Sequence, residues 1–111
     1  MHEYSLAQSI LQSAIEHANG AKVAQINLLI GESSGILGES LHMYFDIFAE
    51  NTLCDEAIIE IETVKPKLKC KACGTFFVRK PFSFECVCGS EGEPTDIGRE
   101  FFIKSIIVED G

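Results

Sequence analysis

Four cysteines lie close together in the sequence, at Cys70, Cys73, Cys86 and Cys88. Structural Zn(II) sites take four tetrahedral ligands and bind thiolates at about 2.3 Å. In a chain with no secretion signal, a cluster of this kind favours zinc over disulfides. A disulfide or a redox dithiol is the alternative, but a thioredoxin-type pair opens a helix, whereas Thr75–Val78 has the pattern of a short strand. We therefore predict a structural zinc site held by all four thiolates.

The two cysteine pairs differ in length. The first pair has two intervening residues and is followed by Gly74, which suits a tight turn whose amides reach the sulfurs. The second pair, within Cys86–Gly89, is one residue shorter, so its turn and its amide-to-sulfur hydrogen bonds must differ. A fifth cysteine, Cys54, lies far from the others and is expected to be a reduced, partly buried apolar residue that binds no metal.

His2 is the second residue of the chain, next to Met1 and Glu3. An amine at residue 1, the amide of residue 2 and the imidazole of residue 2 can close two fused chelate rings on one ion. Nitrogen donors in a square plane suit Ni(II) or Cu(II), and Glu3 could complete the set. The spacing alone leaves open the plainer interpretation, a terminal residue that binds no metal. The other histidines, His17 and His42, lie in helical patterns and are expected to be solvated or half-packed.

Hydrophobic periodicity predicts the elements that must position these groups. Apolar residues recur every three to four positions over 4–18 and 39–50, which predicts two amphipathic helices. Alternation predicts strands over 22–31 and 57–64, and 101–108 returns as a third strand. Two helices on one face of a three-stranded sheet would bury these apolar stripes, so we predict an α+β fold.

The cysteine-containing insert interrupts this pattern before the last strand. We predict a small zinc-ribbon-like module at residues 67–95 and an α/β domain made of residues 1–66 and 96–111. The insert is too short and too poor in periodic apolar residues to fold alone, a deficit that a structural metal makes good. Its position between strands permits a homodimer in which two copies exchange the module or the last strand.

Composition and charge narrow the class of protein. The chain has 111 residues and a formal net charge of −8, which suits one domain with a small appended module. No apolar run approaches the ~20 residues that a membrane span needs, and the first residues do not form a signal peptide, so we expect a cytoplasmic protein. No nucleophile–base pair, phosphate-binding loop or open catalytic zinc site is visible, and an enzyme is not expected.

Charge is unevenly distributed along the chain. Residues 1–64 carry ten acidic residues and one lysine, whereas residues 65–90 carry six basic residues and one acidic residue. The insert also contains Phe76, Phe77, Phe82 and Phe84. We expect these rings to form a small core around the zinc. The alternative is that they stack bases, which would make the protein a zinc-ribbon nucleic-acid-binding or adaptor module, although six basic residues are few for this role.

Several segments resemble the HypA/HybF family of hydrogenase nickel-incorporation proteins. They are Met1-His2-Glu3-Tyr4-Ser5-Leu6 at the start, Ile26-Asn27-Leu28-Leu29-Ile30-Gly31-Glu32, the four-cysteine insert and Gly98-Arg99-Glu100-Phe101-Phe102-Ile103-Lys104-Ser105-Ile106. The resemblance covers nearly the whole chain in the right order. The family usually has Cys-Pro-x-Cys-Gly in the second cysteine pair, and the shorter Cys86–Gly89 segment departs from that pattern.

The resemblance implies a non-enzymatic metallochaperone that delivers nickel to [NiFe] hydrogenase and, in some organisms, to urease. It implies that His2 is the Ni(II) ligand, with the Met1 amine and Glu3 in support, and that the four clustered cysteines hold Zn(II). It also implies two partners, a HypB-type nickel GTPase and the hydrogenase large-subunit precursor, and no nucleic acid or membrane.

Overall fold

The computed structural model describes residues 3–79 and 83–109. In chain order the helices and strands are α1 (Glu3–Ala18), β1 (Val23–Gly31), α2 (Gly38–Ala49), β2 (Ile58–Val64), β3 (Lys67–Cys70), β4 (Phe76–Val78), β5 (Gly92–Pro94) and β6 (Phe101–Val108), with a 3-10 turn at Glu32–Ser34. Each helix and strand expected from periodicity is present, to within one or two residues. Neither described helix is long and apolar enough to span a bilayer.

The two helices pack on a sheet whose strand order is β2-β1-β6. Strand β1 pairs in parallel with β2 and antiparallel with β6. The core between helices and sheet includes Leu6, Ala7, Ile10, Ala14, Ile26, Leu28, Ile30, Leu41, Phe45, Ala49 and Ile59. Small alanines recur on the buried side of α1, which lets this helix lie close to its neighbours. The predicted arrangement of two helices on a three-stranded sheet is confirmed.

One detail of β1 differs from the expected alternation. Ile26, Leu28 and Ile30 are buried in alternation, but Ala24, the next residue in that series, is only half-buried, whereas Val23 is fully buried. The pairing of β1 with β6 shifts register between Val23 and Gln25. A register shift of one residue moves the side chains beyond it to the opposite face, which explains why Val23 enters the core.

The cysteine-containing insert forms a second three-stranded sheet, in the order β4-β3-β5. The sequence indicated only one of these strands, β4. Strand β3 pairs antiparallel with β4 and with β5. Leu68 and Cys70 are buried on one side of β3, and Phe77 is half-buried near Gly92 on the same side.

The segment that returns from the second sheet to β6 makes a close backbone contact with the end of β1. Gly31 donates a hydrogen bond to the Glu100 carbonyl, and Ser33 donates one to the Gly98 carbonyl, both at 2.7 Å. A Cβ atom on Gly31 would lie 2.0 Å from the Gly98 carbonyl carbon, and one on Gly98 would lie 2.6 Å from Pro66 Cα. Glycine is therefore required at both positions, where the segment before β6 passes close to the end of β1 and to Pro66.

Candidate metal centre

The four clustered cysteines converge at one end of the second sheet. Their sulfur atoms all lie within 4.8 Å of one another. Cys70 Sγ is 3.4 Å from Cys88 Sγ, and Cys73 Sγ is 3.8 Å from Cys86 Sγ. A tetrahedral zinc–thiolate centre with bonds of about 2.3 Å has sulfurs about 3.8 Å apart. The sulfur positions therefore fit Zn(II) bound by four thiolates.

Two backbone turns of different size present the sulfurs. In the first, the Gly74 amide donates to the Cys70 carbonyl (3.0 Å) and the Cys73 amide donates to Cys70 Sγ (3.4 Å). In the second, the Gly89 amide donates to the Cys86 carbonyl (2.9 Å), so this turn is one residue tighter. Both glycines have positive φ, +73° and +92°, a conformation that glycine adopts without strain. The expectation that the shorter pair needs a different turn is confirmed.

The thiols of the cluster differ in acidity. Hydrogen bonds from the Thr75 hydroxyl and amide lower the pKa of Cys73 to about 6. The Ser90 amide and neighbouring thiols lower the pKa of Cys88. At Cys86, the Cys88 amide favours the thiolate, but lost solvation and the neighbouring thiols outweigh it and raise the pKa to about 11. The metal-free cluster thus mixes thiols and thiolates, and a metal ion must displace the remaining protons.

Thr75 is a contributor that the sequence did not reveal. Its hydroxyl oxygen lies 3.2 Å from Cys73 Sγ, and it holds an exposed thiol in a state that a metal can bind. Its position two residues after a cysteine is the only signal in the sequence, and that signal also fits an ordinary strand residue.

The remaining cysteine and the two interior histidines lie away from the cluster. Cys54 is fully buried in the core of the first sheet, where burial raises the pKa of its thiol. His17 is exposed, with Nδ1 2.8 Å from the Ser13 carbonyl, and His42 is half-buried. The two histidines are placed as expected, but the expectation that Cys54 is only partly buried is wrong, because its side chain lies inside the main hydrophobic core.

The amino-terminal residues are described only from Glu3 onward, so the predicted ligands Met1 and His2 lie outside the described residues. Glu3 is half-buried in the first turn of α1, and its Oε1 accepts a hydrogen bond of 3.2 Å from the Leu37 amide. Leu37 immediately precedes α2. Through this hydrogen bond, Glu3 links the first turn of α1 to the beginning of α2. Its carboxylate is also stabilised by the dipole of α1, because it lies at the start of that helix.

The expected aromatic core of the module is wrong for two of its rings. Phe76 is 50% exposed and Phe84 is 51% exposed. Lys69 Nζ lies 5.8 Å from the centre of the Phe76 ring, and the Arg79 guanidinium carbon lies 4.1 Å from the centre of the Phe84 ring. Sulfur ligands and tight turns take the place of a hydrophobic centre, so the rings turn outward and pack against cations. Phe82 lies outside the described residues.

An α+β domain that carries a four-cysteine ribbon inserted before its last strand defines a small metal-binding protein with two parts. Comparison with known proteins identifies the family to which the chain belongs. The HypA model, for hydrogenase/urease nickel incorporation and metallochaperones, matches residues 1–108. The chain therefore belongs to the HypA family of nickel metallochaperones for hydrogenase maturation, as the sequence resemblance predicted.

Individual relatives agree with this assignment. Hydrogenase maturation factor HypA of Caldanaerobacter subterraneus subsp. tengcongensis is 41% identical over 98% of this chain and 100% of its own length. The Methanococcus vannielii HypA is 40% identical over 98% of both chains. A solution structure of the Ni metallochaperone HypA from Helicobacter pylori superposes with a TM-score of 0.66 at 30% identity, covering 97% of each chain. A second HypA solution structure has a TM-score of 0.73 at 29% identity, covering 98% of this chain and 97% of the other.

Proposed function

We propose that this protein carries Ni(II) at its amino terminus, with the His2 imidazole as the principal ligand and the Met1 amine and Glu3 in support. The observation that supports this most directly is that the family match begins at residue 1 and therefore includes these residues. The Glu3–Leu37 hydrogen bond anchors the first turn of α1, so a metal bound just before it is held next to an ordered part of the protein. A site built from a chain end lets the ligands of a receiving protein replace its own stepwise.

The resident metal in this proposal is Zn(II), held by Cys70, Cys73, Cys86 and Cys88. When bound, zinc supplies a closed tetrahedral crosslink and no open position for chemistry. The module is residues 67–95, and the nickel-binding domain is residues 1–66 with 96–111. A closed structural zinc site and a transient cargo suit a protein that is not an enzyme.

The receiving partners in this proposal are a HypB-type nickel GTPase and the hydrogenase large-subunit precursor, with urease as a further client, and delivery takes place in the cytoplasm. Neither nucleic acid nor membrane has a role in this proposal. If the chain associates with itself, the assembly proposed is a homodimer.

The alternative function, a zinc-ribbon nucleic-acid-binding module, has support in the outward-facing Phe76 and Phe84 rings beside cations. The net charge of −8 argues against it, since an acidic protein repels phosphate backbones.

The test is a calorimetric titration of Ni(II) into tag-free, zinc-loaded protein with a free Met1 amine. We expect one strong site that is lost in His2→Ala and weakened when an extra residue precedes Met1. His17→Ala is the matched control, because it removes an exposed histidine from elsewhere in the chain, near the end of α1. Affinity should also fall on acidification through the titration range of histidine, since the metal needs the neutral imidazole. Equal binding by His2→Ala and the unmodified protein would refute the terminal nickel site.

A further inference from the structure

The exposed side of the second sheet carries lysines and large apolar side chains together. Lys67 pairs with Val78 and Lys69 with Phe76 across β3 and β4, so the four side chains lie on the side opposite buried Leu68. Phe76 is 50% exposed and Val78 is 48% exposed. These four residues are called the lysine face below.

The lysines of the lysine face make no ion pair within the described part of the chain, although one carboxylate, that of Glu93, shares their side of the sheet. The one ion pair among residues 3–79 and 83–109 joins Lys104 and Glu62, on the first sheet. Glu93 lies opposite Lys69 in register on β5 but makes no ion pair with it. The Lys69 ammonium extends over the Phe76 ring, toward the edge of the sheet. Surface lysines beside exposed apolar area favour a ligand that brings both carboxylates and apolar side chains.

The strand edge next to this face favours a polypeptide as that ligand. In the described parts of the chain, β4 pairs with β3 along one side only, so its other side is the edge of the sheet. An extended peptide can add to such an edge through main-chain hydrogen bonds, with alternate side chains on the lysine face. Nucleic acid and anionic lipid cannot form that ladder, and the acidic remainder of the protein repels both.

We propose that the lysine face is a docking surface for an extended acidic–apolar segment of a partner protein, which adds to the edge of β4. Its apolar side chains pack on Phe76 and Val78, and its carboxylates pair with Lys67 and Lys69. This surface lies on the cysteine-containing module and does not involve the amino terminus, so docking is separable from the binding of nickel.

The probe is a short acetylated peptide in which glutamate and valine alternate at every second position with threonine between them, so that both types share one face of a strand. It is added to full-length, zinc-loaded protein, and binding is followed by fluorescence anisotropy and by amide chemical shifts. We expect shifts centred on β4 and β3, and weaker binding as salt is raised. Peptides with lysine for glutamate, or with serine for valine, are the matched probes and should bind more weakly.

Charge-reversal variants give the decisive comparison. Lys69→Glu should weaken binding by about fivefold or more, since a repulsion replaces an attraction. Lys22→Glu makes the same charge change at an exposed position just before β1 of the first sheet and should leave binding nearly unchanged. Phe76→Ser should also weaken binding, and because Lys69 is exposed, its variant keeps the test valid if Phe76→Ser fails to fold. Nickel titration of Lys69→Glu should match that of the unmodified protein.

Other occupants of the face are outcomes of the same experiment. Equal weakening by Lys22→Glu and Lys69→Glu, or equal binding of the lysine peptide, would overturn the proposal in favour of general electrostatics. If a single-stranded oligonucleotide or anionic lipid vesicles bind more tightly than the peptide and shift the same β3 and β4 amides, the proposal is overturned and that ligand is assigned to the face. Salt-sensitive self-association in sedimentation experiments, abolished by Lys69→Glu, would assign the face to a second copy of the chain.

Discussion

Gly31→Ala should disrupt the contact between the end of β1 and the segment before β6, although alanine suits the backbone there. Gly31 has φ −76° and ψ 143°, an extended conformation that any residue adopts. The added methyl carbon, however, would lie 2.0 Å from both the carbonyl carbon and the carbonyl oxygen of Gly98. Neither atom belongs to a side chain that can rotate away, so the backbone of β1 or of the segment that contains Gly98 must move.

The cost can be estimated from the contacts that this movement breaks. Overpacking in a close contact typically costs about 1–3 kcal/mol. Moving the chain apart also lengthens the bonds from Gly31 to Glu100 and from Ser33 to Gly98, both at 2.7 Å, each with a net value of about 1 kcal/mol. The total loss is therefore about 3–5 kcal/mol, a large part of the stability of a small domain. It corresponds to a fall in melting temperature of about 10–20 °C or more.

The assay is thermal and urea unfolding of zinc-loaded protein, followed by circular dichroism. Gly35→Ala is the matched control: Gly35 has φ +79°, which strains alanine, but nothing lies within 4 Å of the added carbon. It should cost only about 1–2 kcal/mol. The reasoning would be refuted if Gly31→Ala were no more destabilising than Gly35→Ala, since the close contact would then be easily relaxed.

Three further predictions concern the metal and the core. Chelation of zinc should abolish the amide protection of the second sheet but leave most of the helical circular dichroism, because the main core contains no residue of the module; loss of both signals together would contradict this. In metal-free protein, Cys73 should be alkylated first and Cys54 last by mass spectrometry, and the labelling rate of Cys73 should rise through about pH 6. The folded pKa of Cys73 lies below the ordinary value of 9.0, so its contribution to stability is complete above pH 9 and is lost as the pH falls through about 6. Thr75→Val should move the labelling curve of Cys73 to higher pH. An unmoved curve would mean that Thr75 does not lower the pKa of Cys73. Phe45→Ala should cost about 3–5 kcal/mol in urea unfolding, since Phe45 is fully buried, and a loss below 1 kcal/mol would mean that the cavity collapses.

The main elements of the fold could be predicted because their signals are local. The strand expected at 101–108 is β6, and the helix expected at 4–18 is α1 with one extra residue. Strands β3 and β5 could not be predicted in this way. Strand β5 consists of Gly92, Glu93 and Pro94, residue types that strands disfavour, and its pairing depends on the turns around the cysteines, which bring distant segments together.

The metal centre was predictable in its ligands but not in its surroundings. Four cysteines at this spacing in one short segment are typical of a shared metal site. The four ligands could therefore be predicted from residue types and spacing alone. The outward turn of Phe76 and Phe84 did not, because an apolar residue near a metal site is expected to be buried. An aromatic ring can be buried only where the module has an interior large enough to hold it. In the described part of 67–95 only Leu68, Cys70 and Cys86 are buried, so the interior is too small for all of the rings.

The proposed nickel site and the zinc site place opposite demands on the same short chain. Four thiolates on two backbone turns surround a resident metal, which keeps it in place. A cargo must leave, and a chain end can move away with its ligands. Because Glu3 Oε1 is already hydrogen-bonded to the Leu37 amide, we expect Glu3 to support nickel mainly through its backbone amide and by holding the first turn of α1. In this proposal the Met1 amine and the His2 imidazole are then the ligands that must release the metal, while the Glu3 side chain keeps its hydrogen bond to Leu37.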